Sequence, residues 1–209
     1  MNIILNGASG SGKGSMATFL VRDFGLVHIS TGDLFRENMA KQTPLGKKVA
    51  EYVSTGKWVP DEVTIEVLLD RIKQPDCAKG VILDGFPRTL NQAQALKKAM
   101  DVDLVIAIDV SDEIVQARLG GRYMCRQCGT IHAARWDKID KCKKCCGELY
   151  QRDDDKAEFI QKRLENFKQN NQAILDFYRA ENKLLVVHDK LENTPADTYA
   201  LVKDAVAKL

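Results

Sequence analysis

The stretch Ile3-Ile4-Leu5-Asn6-Gly7-Ala8-Ser9-Gly10-Ser11-Gly12-Lys13-Gly14-Ser15 constrains this chain more than any other. An apolar run leads into a glycine-rich loop, and helical spacing of apolar residues begins directly after it, at Met16. Strand, glycine loop and helix in that order make an anion cradle. The backbone N–H groups of Gly7, Gly10, Ser11, Gly12, Gly14 and Ser15 curl inward, the helix N-terminus adds its positive dipole end, and Lys13 reaches the outer oxygens of a phosphate chain. The strict phosphate-loop consensus wants Ser or Thr directly after the lysine, whereas here Gly14 intervenes and Ser15 follows. A ligand-free turn is the alternative; the strand before the loop and the helix after it weigh against that.

Further apolar runs rich in Val, Ile and Leu recur at Leu26-Ile29, Val81-Leu83, Leu104-Val110 and Leu184-Val187. They do not alternate with polar residues, which fits strands buried on both faces of a parallel sheet. Helical spacing lies between them, as in Met16 to Phe24 and Val63 to Ile72. The pattern predicts an α/β fold: a parallel sheet of about five strands with helices on both faces. After Asp155, the residues Phe159, Ile160, Leu164, Phe167, Ile174, Leu175 and Tyr178 define one apolar face of a long helix. Asp155 and Glu158 stand as an acidic capping box at its start.

Two stretches interrupt this regularity. Residues 30–59 read as two small helices separated by Thr43-Pro44 and closed by Ser54-Thr55-Gly56, and 121–155 is polar and cysteine-rich. The expected organisation is a core of 1–29, 60–120 and 156–209, a helical insertion at 30–59 and a lid at 121–155.

At 209 residues the chain can bury its own core, and its net charge of +2 gives no reason to expect a nucleic acid or an anionic membrane as partner. No apolar run is long enough to span a bilayer, and Met1 runs straight into a strand, so the expected location is the cytoplasm.

Five of the six cysteines fall between Cys125 and Cys146, which favours a metal over disulfides; Cys77, far from them, reads as an ordinary thiol at a helix end. Cys125-Arg126-Gln127-Cys128 and Cys142-Lys143-Lys144-Cys145 are two knuckles, each able to place two thiolates on one tetrahedral ion. A closed set of four leaves no open coordination position, so the ion, with Zn2+ the first candidate, is structural. A redox pair is the alternative, but no thioredoxin-like context accompanies it.

Asp84 closes the run Val81-Ile82-Leu83, and a carboxylate at the carboxyl end of a parallel strand beside a phosphate loop suits Mg2+ held through water. It could equally cap the following turn.

The loop variant Gly12-Lys13-Gly14-Ser15, together with Asp84-Gly85-Phe86-Pro87-Arg88-Thr89, resembles the adenylate kinase family. Thr31-Gly32-Asp33-Leu34-Phe35-Arg36 and the knuckled lid are similar to it as well, and the likeness covers nearly the whole chain. The resemblance implies reversible transfer of the terminal phosphoryl group of Mg-ATP to AMP by a monomer. It places Thr31, Arg36, Lys57, Val59, Gly85, Arg88 and Gln92 around AMP, with Gln92 on the adenine edge. It also implies that Arg118 and Arg122 meet ATP, that Arg152 and Arg163 meet the AMP side, and that closure brings all four onto the migrating group while Lys13 and Arg88 hold it from below. With AMP already ionised, no general base is needed, and alignment and charge neutralisation carry the rate.

Some residues depart from the family pattern. Ser9 replaces a usual Pro, Cys146 stands where a knuckle Gly is common, and His132 is an exposed residue, an adenine contact or a substitute ligand. Relatives acting on UMP or CMP, or using GTP, are the enzyme alternatives. A zinc-ribbon binder of nucleic acid is the non-enzyme one, and it would need a cationic stripe interleaved with aromatics, where the knuckle segment offers only Trp136.

Overall fold

The computed structural model describes residues 1–54, 59–134, 140–152, 155 and 157–209; Lys57, Trp136 and Asp154 lie outside these, as do the side chains of 53, 54, 157 and 158. Five parallel strands form the central sheet in the order β2-β3-β1-β4-β8: β1 is Ile3–Asn6, β2 Val27–Ser30, β3 Val81–Asp84, β4 Leu104–Asp109 and β8 Leu184–His188. All five apolar runs of the sequence have become these strands. The reason is visible in β1, where Ile3 and Leu5 join the core on one face of the sheet and Ile4 joins the core on the other. All three are at most 1% exposed. Complete burial of an aliphatic side chain contributes about 1.5–3 kcal/mol, so a strand covered on both faces has no use for alternation.

The crossover helices are α1 (Lys13–Phe24), α4 (Asp61–Ile72), α5 (Leu90–Ala99), α6 (Asp112–Gly120) and the 24-residue α7 (Ala157–Ala180), and α8 (Pro195–Val206) follows the last strand. Local chemistry sets several starts. Thr89 accepts from the Gln92 N–H at 3.1 Å, and Thr194 and Asp197 form a reciprocal capping box. Ala8, Val115, Leu119, Ile160 and Leu164 form a separate small core that seats the loop after β1 against α6 and α7.

Between β2 and α4 stand α2 (Thr31–Ala40) and α3 (Pro44–Ser54), the two helices expected of 30–59, with Thr43 accepting from Gly46 N–H at 2.9 Å to start α3. The cysteine-rich stretch holds a three-stranded antiparallel sheet, β6-β5-β7, from β5 (Arg122–Cys125), β6 (Ile131–Ala133) and β7 (Leu149–Tyr150). Among the described residues, no helix is long and apolar enough to cross a membrane.

The start of α7 differs from expectation. Ile160, Leu164, Ile174 and Tyr178 are buried as the apolar face requires, but Phe159 is exposed. The side chain of Glu158, the other half of the expected capping box, lies outside the described residues, and among the described contacts Asp155 is engaged by arginines. Its fully buried carboxylate takes both ends of the Arg122 guanidinium, Nε at 2.7 Å and Nη2 at 2.5 Å. A bidentate pair of opposite charges satisfies a desolvated carboxylate better than one backbone N–H does.

Candidate functional site

The loop between β1 and α1 needs glycine for space as much as for dihedral freedom. A Cβ on Gly10, whose φ is +83°, would lie 2.8 Å from Leu119 Cγ, and one on Gly7 would lie 2.7 Å from the Ile108 carbonyl oxygen. Helix α6 and strand β4 therefore press the loop into a ring whose inward positions are backbone N–H groups. Lys13 folds back over that ring, its Nζ donating to the carbonyl oxygens of Gly7 at 2.7 Å and Ala8 at 2.8 Å.

Lys13, Ser9, Gly85, Arg88, Arg163 and Asn171 line one cavity at the carboxyl ends of β1 and β3. Loss of hydration, with Arg88, Arg163 and Arg122 nearby, lowers the Lys13 ammonium from 10.5 to about 8, only partly offset by Asp84. Burial alone would raise the Asp84 carboxyl, but the His28 hydrogen bond and the charges of Lys13 and Arg88 hold it below its ordinary value. This is a site built to receive negative charge. A larger cavity of about 420 Å³ at the other end of the strands, lined by Met1, Leu69, Ile72, Cys77 and Met100 among others, has Lys73 as its one charged side chain. Cys77 there is buried in a 3-10 turn with Arg71 Nη1 3.0 Å from its sulfur, as an ordinary structural thiol would be.

Three arginines are braced around the cationic cavity. Arg88 Nε donates to Gly85 O at 2.7 Å; Arg163 Nη2 donates to Ser9 Oγ at 2.6 Å, and its Nη1 lies 3.4 Å from Asp155, the partner of Arg122. Ser9, where the family usually has Pro, thus ties the tip of the loop to α7. On the β2 side, Thr31 is buried and donates to Gly85 O at 2.9 Å, while Arg36 Nη2 meets Asp33 at 2.5 Å. Val59 is half-buried just before α4, and Arg152 lies with its Nε on Met124 Sδ.

Gln92 and Arg118 are both engaged by the protein itself. Gln92 is 2% exposed with both ends of its amide engaged: Oε1 accepts from Arg88 N–H at 2.7 Å, and Nε2 donates to Asp61 at 2.7 Å. Arg118 turns its donors to Ser11 O, Asp189 and Lys190 O. The sequence reading missed Asp61, which also accepts from Thr89 Oγ1 at 2.6 Å. It missed His28, 3.4 Å from Asp84, as well. The Pro60-Asp61 helix start was a weak signal for the first, and β2 register, which sets His28 beside Ile82 two places before Asp84, explains the second.

In the lid, the sulfurs of Cys125, Cys128, Cys142 and Cys145 all lie within 4.8 Å of one another. Three of the separations are 3.3 to 3.5 Å, near the edge of about 3.8 Å that a tetrahedron with 2.3 Å metal–sulfur bonds requires. The thiols do not ionise together without a cation. Hydrogen bonds from the Thr130 hydroxyl and N–H lower Cys128 to about 6. The Gly147 N–H favours a thiolate at Cys145, yet the neighbouring sulfurs of Cys125 and Cys128 push that thiol up to about 12. A divalent ion would resolve the conflict, and soft sulfur donors suit Zn2+. Gly147 is required by space, since its Cβ would lie 2.9 Å from Cys125 Sγ.

His132 is 6% exposed with Nε2 3.4 Å from Cys142 Sγ, so the exposed-residue reading is wrong; it is a buried hydrogen-bond partner of a thiol. Cys146 lies outside the four-sulfur set and is exposed. The knuckles repeat one another: Gly129 N–H reaches Cys125 O at 3.0 Å with φ +68°, and Cys146 N–H reaches Cys142 O at 2.8 Å with φ +59°. A left-handed non-glycine residue costs about 1 kcal/mol. Cys146→Gly is therefore expected to raise the melting temperature of the lid while metal analysis still returns one ion per chain; loss of the ion would place Cys146 among the ligands.

A family model described as Adenylate kinase matches residues 5–183. An adenylate kinase of Archaeoglobus fulgidus is 46% identical over 192 residues, covering 88% of each chain. One from Caldicellulosiruptor bescii is 44% identical over 200 residues, 92% of this chain and 93% of the relative. One from Bacillus subtilis is 42% identical over 217 aligned positions, spanning 100% and 99%. With matches of that length and a phosphate loop, a cationic cavity and a thiol cluster in place, this chain belongs to the adenylate kinase family.

Proposed function

We propose that the chain transfers the terminal phosphoryl group of Mg-ATP to AMP, reversibly and yielding two ADP, with the donor phosphates in the loop of residues 7–15. The observation that carries this reading is the convergence of Lys13, Asp84, Arg88 and Arg163, from separate elements, about one cavity. Such an array does what phosphoryl transfer demands, neutralising and aligning charge spread over equatorial oxygens. Lys13 and the N–H groups of Gly10, Gly12, Gly14 and Ser15 take the donor phosphates. Arg88 bridges donor and acceptor, and Arg122, Arg152 and Arg163 approach from the lid side. Asp84 is the carboxylate that would hold the donor's Mg2+, and that ion would supply further charge neutralisation on the phosphate oxygens.

AMP lies against Thr31, Arg36, Lys57, Val59, Gly85 and Gln92. Residues 30–59 and 121–155 close over the two nucleotides and exclude water, the competing acceptor, while 1–29, 60–120 and 156–209 form the fixed core. The four thiolates hold one structural Zn2+, which takes no part in the chemistry. The enzyme works as a cytoplasmic monomer without nucleic-acid or membrane partners, a reading supported by the near-neutral charge and by a thiol cluster suited to a reducing compartment.

Replacing Gln92 tests the acceptor side. Its amide must exchange Asp61 or the Arg88 N–H for the adenine edge. Gln92→Ala is expected to raise the KM for AMP by roughly tenfold and leave that for ATP within about twofold, at a stability cost of about 1–3 kcal/mol from the partners it strands. A rise in the ATP KM instead would mean that the two nucleotide sites are reversed.

A further inference from the structure

No motif marks the chain after Val187, yet a buried carboxylate there controls how Arg118 meets the phosphate loop. Asp189 follows β8 directly, and its side chain is 2% exposed against 12% for Arg118. Asp189 Oδ2 accepts from Arg118 Nη2 at 2.7 Å; Oδ1 accepts from Thr198 Oγ1 at 2.7 Å and from Asn193 Nδ2 at 2.8 Å. The same Arg118 nitrogen donates to Lys190 O at 3.0 Å, and Nη1 donates to Ser11 O at 3.1 Å. One carboxylate thus fastens α6, the loop of residues 189–194 and α8 to the rim of the phosphate loop.

Two consequences follow for Arg118. With both terminal nitrogens committed to protein oxygens, it does not present the two-pronged fork that grips a phosphate. What remains is the planar face of a guanidinium, fixed beside Ser11 and Gly12, and a buried Nε–H with no partner among the described residues. A fixed cationic plane suits stacking on an aromatic base. It stands at the carboxyl end of a parallel sheet, where α/β folds bind ligands. A nucleotide with its phosphates in the loop carries its nucleoside out over that rim.

We infer that Asp189 is a positioning residue for the donor nucleotide, holding Arg118 flat at the rim of the phosphate loop so that the donor's nucleoside has a rigid surface to rest on. Asp189 touches no nucleotide itself, and the inference rests on the assignment of the donor to this loop. It separates donor binding from acceptor binding, because Thr31, Arg36, Gly85 and Gln92 make no contact with Asp189 among the described hydrogen bonds.

Asp189→Asn is the selective test. Its retained oxygen keeps Thr198 and Asn193 as donors, whereas the new amide N–H faces Arg118, a donor meeting a donor. Binding of ATP alone and of AMP alone, measured by titration calorimetry well below the melting temperature, is expected to show ATP weakened about tenfold and AMP within about twofold of wild type. In Arg118→Ala the further change Asp189→Asn is expected to add less than about twofold, because the carboxylate acts through the arginine. Equal weakening of both nucleotides would reduce Asp189 to a structural role and overturn the inference, as would unchanged ATP binding or additive effects in the double variant. ADP formation by the wild-type enzyme, assayed alongside, fails only if the assignment of the reaction itself fails.

Discussion

Lys13→Met is expected to lower kcat roughly 100- to 1,000-fold, the loss seen when one preorganised charge donor is taken from a developing transition state. The protein should nevertheless fold as well as the wild type. Lys13 titrates near 8 in the folded chain and near 10.5 when unfolded, so the unfolded state binds its proton more tightly. Below pH 8 both states are protonated and the cost of burying the ammonium among arginines is fully present. That cost lifts only as pH rises from about 8 toward 10.5. At neutral pH, then, the lysine is held against a stability penalty, and Met, of similar length and uncharged, removes it. The melting temperature of Lys13→Met is expected to be no more than a few degrees below that of the wild type, the lost bonds to Gly7 O and Ala8 O opposing the gain. Near-normal turnover in the folded variant would remove the phosphate loop from the mechanism.

Removing the lid metal should produce the second large effect, on stability rather than chemistry. The lid sheet has strands of four, three and two residues, and between Gly121 and Arg152 only Cys125, His132, Cys142 and Gly147 are buried among the described residues. So small a lobe cannot hold itself by apolar area. The core sheet, with Ile3, Ile82, Val105 and Ile106 at most 1% exposed, owes nothing to the ion. Chelation under reducing conditions, or Cys125→Ser with Cys142→Ser, is expected to unfold the lid in a separate transition below that of the core. Measurable activity should persist at low temperature, and metal analysis of the untreated protein should return about one ion per chain. Affinity should also fall on acidification, because the four ligands must shed their protons to bind. Metal-free protein that is folded and fully inactive would make the ion catalytic and the closed four-thiolate site wrong.

The parts of this structure that could be read from the sequence are those set by neighbouring residues. The phosphate loop is local, since a strand, three glycines at positive φ and a helix start lie within one short stretch. The inner strands β1, β3 and β4 were legible because burial on both faces leaves an apolar run, and the edge strands β2 and β8 kept enough of that pattern to be read although His28 and Val186 are exposed. The pairs that brace the arginines were not. Arg118 and Asp189 are 71 residues apart, and Arg122 and Asp155 are 33 apart. Each aspartate read alone has a more ordinary local use, as Asp155 did when taken for a helix cap. The lid strands were too short and polar to stand out. His132 stayed open between an exposed residue, an adenine contact and a substitute ligand because nothing local shows that the fold turns it onto a cysteine sulfur. Gln92 illustrates the same limit: its position was clear, but its bonds to Asp61 and Arg88 were not.

The reaction itself is the central claim, and ADP formation from Mg-ATP with each nucleoside monophosphate in turn measures it most directly. AMP is expected to be converted rapidly, two ADP appearing for each AMP consumed, and the same mixture should be reached from ADP alone. UMP, CMP and GMP should turn over at least 100-fold more slowly. Preferred phosphorylation of UMP or CMP, or no ADP from AMP in a folded, metal-loaded protein, would contradict the account.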